Sequence, residues 1–297
     1  DIGWNEIPCY QRESLRFGSI IKGPALLLEE TNSIVLDADW TANIKNDGSL
    51  LLENIGKIQE SSSTPYTSKS VEGDPILLEL YNHRFRVIAE KMGDRLKQTS
   101  RSINIRERLD FSCAIFDQQG KLVANAPHIP VHLGAMSESI VDLLKQISSG
   151  EREPLHAYET VLNNDPFHGG SHLPDITAIT PVFAGAKLPR YFVASRGHHS
   201  DVGGITPGSM PPFSKTIEEE GLLIRNESFI SYGKFDEKLW HHRIHNAKHP
   251  PRNPTELFAD LHAQVAANQL GVDELEKLVK IVGHMEVKSY MEHLQNN

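Results

Sequence analysis

Apolar and polar positions alternate through the first fifty-five residues in short runs, PALLLEE, SIVLDADW and TANIK, and Asn46-Asp47-Gly48 before SLLLENI has the chemistry of a hairpin turn. Residues 1–55 are therefore read as a small β module. Residues 56–73, rich in Ser and Thr, offer little to bury and read as an exposed linker at a domain boundary. The period changes at Asp74-Pro75, an N-cap followed by Pro at the first helical position. Ile76, Leu77, Leu80, Ile88 and Met92 then give a long amphipathic helix out to about Ser100. DFSCAIFD and KLVAN flank Gln118-Gln119-Gly120 as a hairpin, Met136 to Ile147 has helical periodicity, and YETVLN, ITAITPVF and YFVASRG have strand composition. After Asn253-Pro254 a helical stripe returns through Leu257, Leu261 and Val265, is punctuated by Gly271 and continues to the end. The polar run HHRIHNAKHP, 241–250, reads as a solvated connection before it. Residues 74–297 thus make a larger mixed domain, and the fold class is α+β, with antiparallel hairpins and long amphipathic helices.

Composition narrows the class. The 297 residues are 39% hydrophobic and 23% charged, which is globular, and the formal charge is -9 with no Lys/Arg block interleaved with aromatics, which argues against a nucleic-acid partner. No run approaches the roughly 20 apolar residues that span a bilayer, and the start DIGWNEIPCYQRE lacks a basic and apolar leader. Cys9 and Cys113 are too few for a disulfide framework, so a reducing, cytoplasmic setting is expected. Because the first residue is not Met, the chain is expected to be internal to a longer polypeptide or to have a processed end. GxSxG, GxxxxGK[ST] and GxGxxG are all missing, and Cys113, inside an apolar strand pattern, reads as a buried inert thiol.

Fifteen histidines do change the picture, because they cluster. The stretch NNDPFHGGSHLPD, 163–175, holds His168, His172 and Asp175 between two strand patterns. Gly169-Gly170 and Pro174 oppose a helix, so it reads as a stiff loop whose glycines allow close approach of backbone. Twenty-six residues after His172, RGHHSDVGG repeats the chemistry with His198, His199 and Asp201 beside glycine, again after a strand. Two neutral imidazoles and a carboxylate around a divalent cation, with positions left open, is the usual architecture of hydrolytic metal sites. His172, Asp175 and His198 are the ligands this pattern offers. Glu107 or Asp110 in RERLDFS, or His128 and His132 in HIPVH, are candidates to complete the shell, with supporting or structural roles as the alternative for His128, His132 and His199. Ligation by N and O without thiolate suits Zn, Mn or Fe, and the residues do not choose among them. Asp165 and Asp201 are candidate proton acceptors or partners of a ligating imidazole, and His168 and His199 complete the candidate catalytic set.

RERLDFSCAIFDQQGKLVANAPHIPVHLGAM, LNNDPFHGGSHLPDITAITPVF, RGHHSDVGGITPGSMPP and ADLHAQVAANQLG together resemble the hydantoinase B/oxoprolinase family, over about residues 74–297. Residues 1–55 resemble the C-terminal end of the partner hydantoinase A-type domain, so the arrangement is similar to the fused members of that family. The resemblance implies ATP-dependent hydrolytic opening of a cyclic amide, 5-oxoproline to glutamate. The A-type part would phosphorylate the amide oxygen and the B-type part, C-terminally incomplete here, would carry the metal-supported hydrolysis. ATP would be used by the full-length enzyme at a site outside this chain, whose partners would be the rest of the A-type domain and other copies in a homo-oligomer. Metal ligation at His172, Asp175 and His198, with Glu107 or Asp110 as a fourth, agrees with what the resemblance implies. A subunit of an acetone carboxylase-like or hydantoin-hydrolysing complex and a non-catalytic structural fragment are the alternatives.

Overall fold

The computed structural model describes residues 6–30, 32–55, 75–126, 129 and 131–296. The linker assigned to 56–73, the cap at Asp74 and His128 lie outside the described residues. Two compact units divide the chain, Asp1–Ser70 and Val71–Asn297.

The first unit is built from β1 (Cys9–Gln11), β2 (Ile20–Lys22), β3 (Ala25–Leu28), β4 (Ser33–Leu36), β5 (Trp40–Ile44) and β6 (Leu50–Asn54). They form two three-stranded sheets, β1-β3-β4 and β2-β5-β6. Ile21, Ala25, Leu27, Leu36 and Ala42 form its buried cluster. The Asn46-Asp47-Gly48 turn joins β5 to β6 in antiparallel register as its composition predicts. In that turn an Asp47 oxygen accepts the Ser49 N–H at 3.0 Å and Gly48 has φ +81°.

The second unit is a seven-stranded sheet between helices. Its strands are β7 (Phe111–Phe116), β8 (Leu122–Asn125), β9 (Thr160–Asn163), β10 (Asp175–Val182), β11 (Tyr191–His198), β12 (Glu227–Ser231) and β13 (Lys234–Phe235). Its helices are α1 (Pro75–Thr99), α2 (Ile103–Arg106), α3 (Val131–Ser149), α4 (Ile217–Glu220), α5 (Glu237–His245), α6 (Pro254–Val282) and α7 (His284–Asn296). The sheet order is β13-β12-β9-β10-β11-β7-β8, with every pairing antiparallel. Alternate residues feed opposite cores. Phe111, Cys113 and Ile115 join a cluster with α1, α6 and α7, while Ala114 and Phe116 join Met136, Ile140 and Leu143 of α3. Burial on both faces is why FSCAIF reads as an unbroken apolar run and not as alternation. Cys113 is fully buried, and burial pushes its thiol pKa far up, as an inert core thiol requires.

Two sequence expectations change. Residues 241–250 are not simply a connection, because α5 runs to His245. The Asp236 carboxylate accepts the Leu239 N–H at 2.9 Å as its cap, and Trp240 and Ile244, four apart, are buried beneath a polar histidine face. Gly271 does not punctuate the last helix either. α6 passes through it, and the break falls at Gly283, at φ +91°. Gly271 is there for packing: a Cβ would lie 2.5 Å from Met92 Sδ and 3.2 Å from Val193 Cγ1. Gly271→Ala is expected to lower stability in a denaturant melt by about 1–2 kcal/mol, the crowding of a fully buried methionine outweighing the gain in helix propensity.

Candidate functional site

The histidine loops sit at one end of the sheet, where β10 begins and β11 ends. The first connects β9 to β10 and is built from buried polar side chains that stand in for missing backbone partners. Asn164 accepts the Ile224 N–H at 2.7 Å through Oδ1, and its Nδ2 donates to the carbonyls of Leu173 and Leu222 at 2.8 and 2.9 Å. Asn163 Nδ2 donates to the His168 carbonyl at 2.8 Å, and Asp165 Oδ1 accepts the Phe167 N–H at 3.0 Å. The two glycines are required by contact: a Cβ on Gly169 would stand 2.1 Å from Ser139 N, and one on Gly170 would stand 2.5 Å from the Asn164 carbonyl oxygen. The loop is thereby pinned against α3 and the segment around Leu222 and Ile224 that precedes β12, and its far end delivers His172 and Asp175.

Register supplies the rest. In the β10–β11 ladder Asp175 pairs with His198 and Thr177 with Arg196, so Asp175 and His198 project from neighbouring strands onto one face. His198 Nδ1 lies 2.9 Å from Asp175 Oδ1 and 3.2 Å from His172 Nε2, while His172 Nδ1 lies 3.4 Å from Asp175 Oδ2. One donor atom from each of the three residues falls within 4.8 Å of the others. The contacts to His198 and Asp175 use different nitrogens of His172, and donors held about 2.1 Å from one tetrahedral ion are about 3.4 Å apart, so side-chain rotation would bring one atom of each residue onto a small divalent cation. The set also has the right chemistry, two imidazoles and one carboxylate.

The surroundings hold the carboxylate in its charged form. Ser171 Oγ donates to Asp175 Oδ2 at 2.6 Å, and the Nε2 of buried His132 lies 3.5 Å from the same oxygen. Burial acts to raise the Asp175 pKa, but the hydrogen bonds with His198 and Ser171 and the neighbouring imidazoles of His172 and His132 outweigh it, leaving the group at about 2. The same hydrogen bond with Asp175 raises the pKa of His198 against its burial. Burial lowers that of His132, with the Arg196 cation adding to the effect. His132 Nδ1 is 3.2 Å from Ser112 Oγ, which also lies 3.0 Å from the Ile129 carbonyl.

The remaining candidates divide. His168 Nδ1 is 2.7 Å from Asp165 Oδ2, with the imidazole one-third exposed, so these two form an oriented dyad on the first loop. Asp110 stands behind His132, Oδ1 to Nε2 3.9 Å, and its carbonyl accepts the His198 N–H at 3.0 Å. Glu107 is exposed at the end of α2. Neither Asp110 nor Glu107 belongs to the convergent group among the described residues. His199 faces the opposite way from His198: its ring is buried, Nε2 lies 2.9 Å from Gln264 Oε1 of α6, and burial lowers its pKa. Asp201 is held by Arg252 at 3.1 Å and accepts the Gly203 N–H at 2.7 Å, so it braces its own loop. Residue-type reasoning overlooked Ser171, Ser112 and Arg196. Arg196 carried a signal, a cation within an otherwise apolar strand two positions before His198.

The family model described as hydantoinase B/oxoprolinase matches residues 74–297, and the chain belongs to that family. It is 44% identical over 303 residues to 5-oxoprolinase 1 of Arabidopsis thaliana, covering 99% of this chain and 23% of that protein. It is 42% identical to the 5-oxoprolinase of Dictyostelium discoideum, covering 100% and 22%. The chain therefore spans about a quarter of the length of these curated relatives. Among solved structures, the ATP-dependent caprolactamase of Pseudomonas jessenii aligns at 26% identity and TM-score 0.64, over 75% of this chain and 37% of that one. A nucleotide-free acetone carboxylase aligns at TM-score 0.69 and 19% identity, over 75% and 28%, which is a likeness of fold.

Proposed function

We propose that this chain carries the hydrolytic centre of an ATP-dependent enzyme that opens the cyclic amide of 5-oxoproline to give glutamate. The convergence of His172, Asp175 and His198 is the observation that carries the reading. Kinship along the whole chain to proteins named 5-oxoprolinase supports the substrate. Asp175 supplies the negative charge and His172 and His198 the neutral nitrogens that would hold a divalent cation, Mn or Zn, with His132 and Ser171 orienting the carboxylate. Bound there, such an ion polarises a carbonyl and acidifies water. The His168–Asp165 dyad has the form of a base with its orienting acid and is assigned the proton taken from the attacking water. Phosphorylation of the amide oxygen by ATP, which makes a poor electrophile attackable, is assigned to the remainder of the longer polypeptide, together with assembly with the A-type domain and with other copies. Residues 1–55 are assigned to the end of that A-type domain.

His172→Ala and His198→Ala are each expected to weaken Mn2+ binding to this chain by about a hundredfold in calorimetry, with the thermal midpoint in chelator little changed. In the full-length enzyme the same variants are expected to abolish glutamate release from 5-oxoproline. Turnover of hydantoin or of a ketone with bicarbonate, in place of 5-oxoproline, would replace the substrate and leave the centre standing. Unaltered metal binding in both variants would remove the centre.

A further inference from the structure

Arg196 is fully buried, and among the described residues no carboxylate lies within salt-bridge distance of it, an expensive arrangement unless the guanidinium is needed where it stands. Its donors go to three different elements. Nε donates to Thr177 Oγ1 across the β10–β11 ladder at 2.7 Å, and one terminal nitrogen to the His132 carbonyl in the first turn of α3 at 3.4 Å. The other terminal nitrogen donates to the Gly169 carbonyl in the first histidine loop at 2.7 Å and to Ser139 Oγ at 3.3 Å. Arg196 also lies two residues before His198, and Thr177 two after Asp175, so the guanidinium occupies the rung directly beneath the Asp175–His198 pair on the same face.

We propose that Arg196 is the positioning residue of this centre: it fixes the Gly169 end of the loop and the His132 end of α3 to the β10–β11 ladder, setting His172 and His132 against Asp175 and His198. The proposal rests on the metal reading only for its consequence. The clamp itself is a property of the protein alone. A planar fork with several donors can hold these acceptors at once, whereas an ammonium is a single compact charge on a flexible stem, so lysine is not an equivalent. Such charge-assisted bonds to carbonyls are the strong kind, and their loss falls on the segment they hold.

Arg196→Lys tests this by hydrogen exchange of the amides of Gly170, bonded to the Asp165 carbonyl at 2.7 Å, and Asp175, bonded to the His172 carbonyl at 3.0 Å. Exchange at these amides is expected to quicken about tenfold or more, while amides in β7 and the middle of α6 keep wild-type rates. Uniform quickening in all elements, or wild-type rates in the loop, would overturn the proposal. Should Arg196→Lys fail to fold, Thr177→Val removes the acceptor that ties Nε to β10, Nε to Oγ1 2.7 Å, at nearly the same shape and is expected to loosen the same amides by a few-fold; wild-type rates in that variant would likewise overturn it. Mn2+ titration of the wild-type chain runs alongside. Failure of wild-type binding would count against the metal centre alone, whereas normal binding with an unloosened loop in Arg196→Lys would count against the clamp alone.

Discussion

Asp175→Asn is expected to abolish stoichiometric binding of Mn2+ or Zn2+ to this chain, a loss of at least about a hundredfold in affinity, while the sheet stays folded. Asparagine matches the carboxylate in shape and can still accept from Ser171 Oγ, so packing at a residue 1% exposed is preserved. What disappears is the negative charge on which two imidazoles converge, and an amide nitrogen would now face His198 or His132. Acid stability gives a second readout on the metal-free protein. A carboxyl held at about 2 when folded and near its ordinary value when unfolded contributes about 2 kcal/mol at pH values above the unfolded pKa, and this is lost as the pH falls through about 2. The wild-type chain should therefore lose stability between about pH 4 and pH 2 more steeply than Asp175→Asn, as followed by urea midpoints. Identical acid profiles, or metal binding retained by the asparagine variant, would remove Asp175 from the centre.

The second large effect is expected at Gly169. Its φ is +87°, and a methyl there would meet Ser139 N at 2.1 Å and Glu138 C at 2.5 Å, both backbone atoms that cannot swing aside. Gly169→Ala should cost about 3–4 kcal/mol in denaturant unfolding, left-handed strain adding to overpacking, and should remove metal binding because the loop that delivers His172 is displaced. Gly150→Ala is the matched control. Gly150 has nearly the same φ, +78°, but nothing within 4 Å of a built Cβ, so only the backbone penalty of about 1 kcal/mol applies. Equal losses in the two variants would mean that the contact with α3 is not what holds the loop.

Much of the second unit was legible because strands buried on both faces leave unbroken apolar words such as YFVAS, and because Asn253-Pro254 carries a helix start in its chemistry. The short helix α5 was not, since two buried residues four apart, Trp240 and Ile244, are outnumbered by the histidines on its wet face. Gly271 misled for a related reason: a glycine demanded by a neighbour in space looks the same in sequence as one that ends a helix. At the site, residue types alone selected His172, Asp175 and His198. Their meeting depends on the pairing of Asp175 with His198, which is set by antiparallel register between consecutive strands. Parity along β11 also separates His198 from His199, sending one toward α3 and the other toward α6, a distinction that the adjacent letters HH hide. Arg196 could have been found by the same parity, because a strand residue two positions from a candidate ligand shares its face.

The most direct measurement is pulsed electron paramagnetic resonance of the wild-type chain loaded with one equivalent of Mn2+. Bound manganese should show hyperfine coupling to two imidazole nitrogens, reduced to one in His172→Ala and in His198→Ala, with no bound signal in Asp175→Asn. A wild-type spectrum of freely hydrated manganese, or one that keeps both nitrogens in those variants, would contradict the centre.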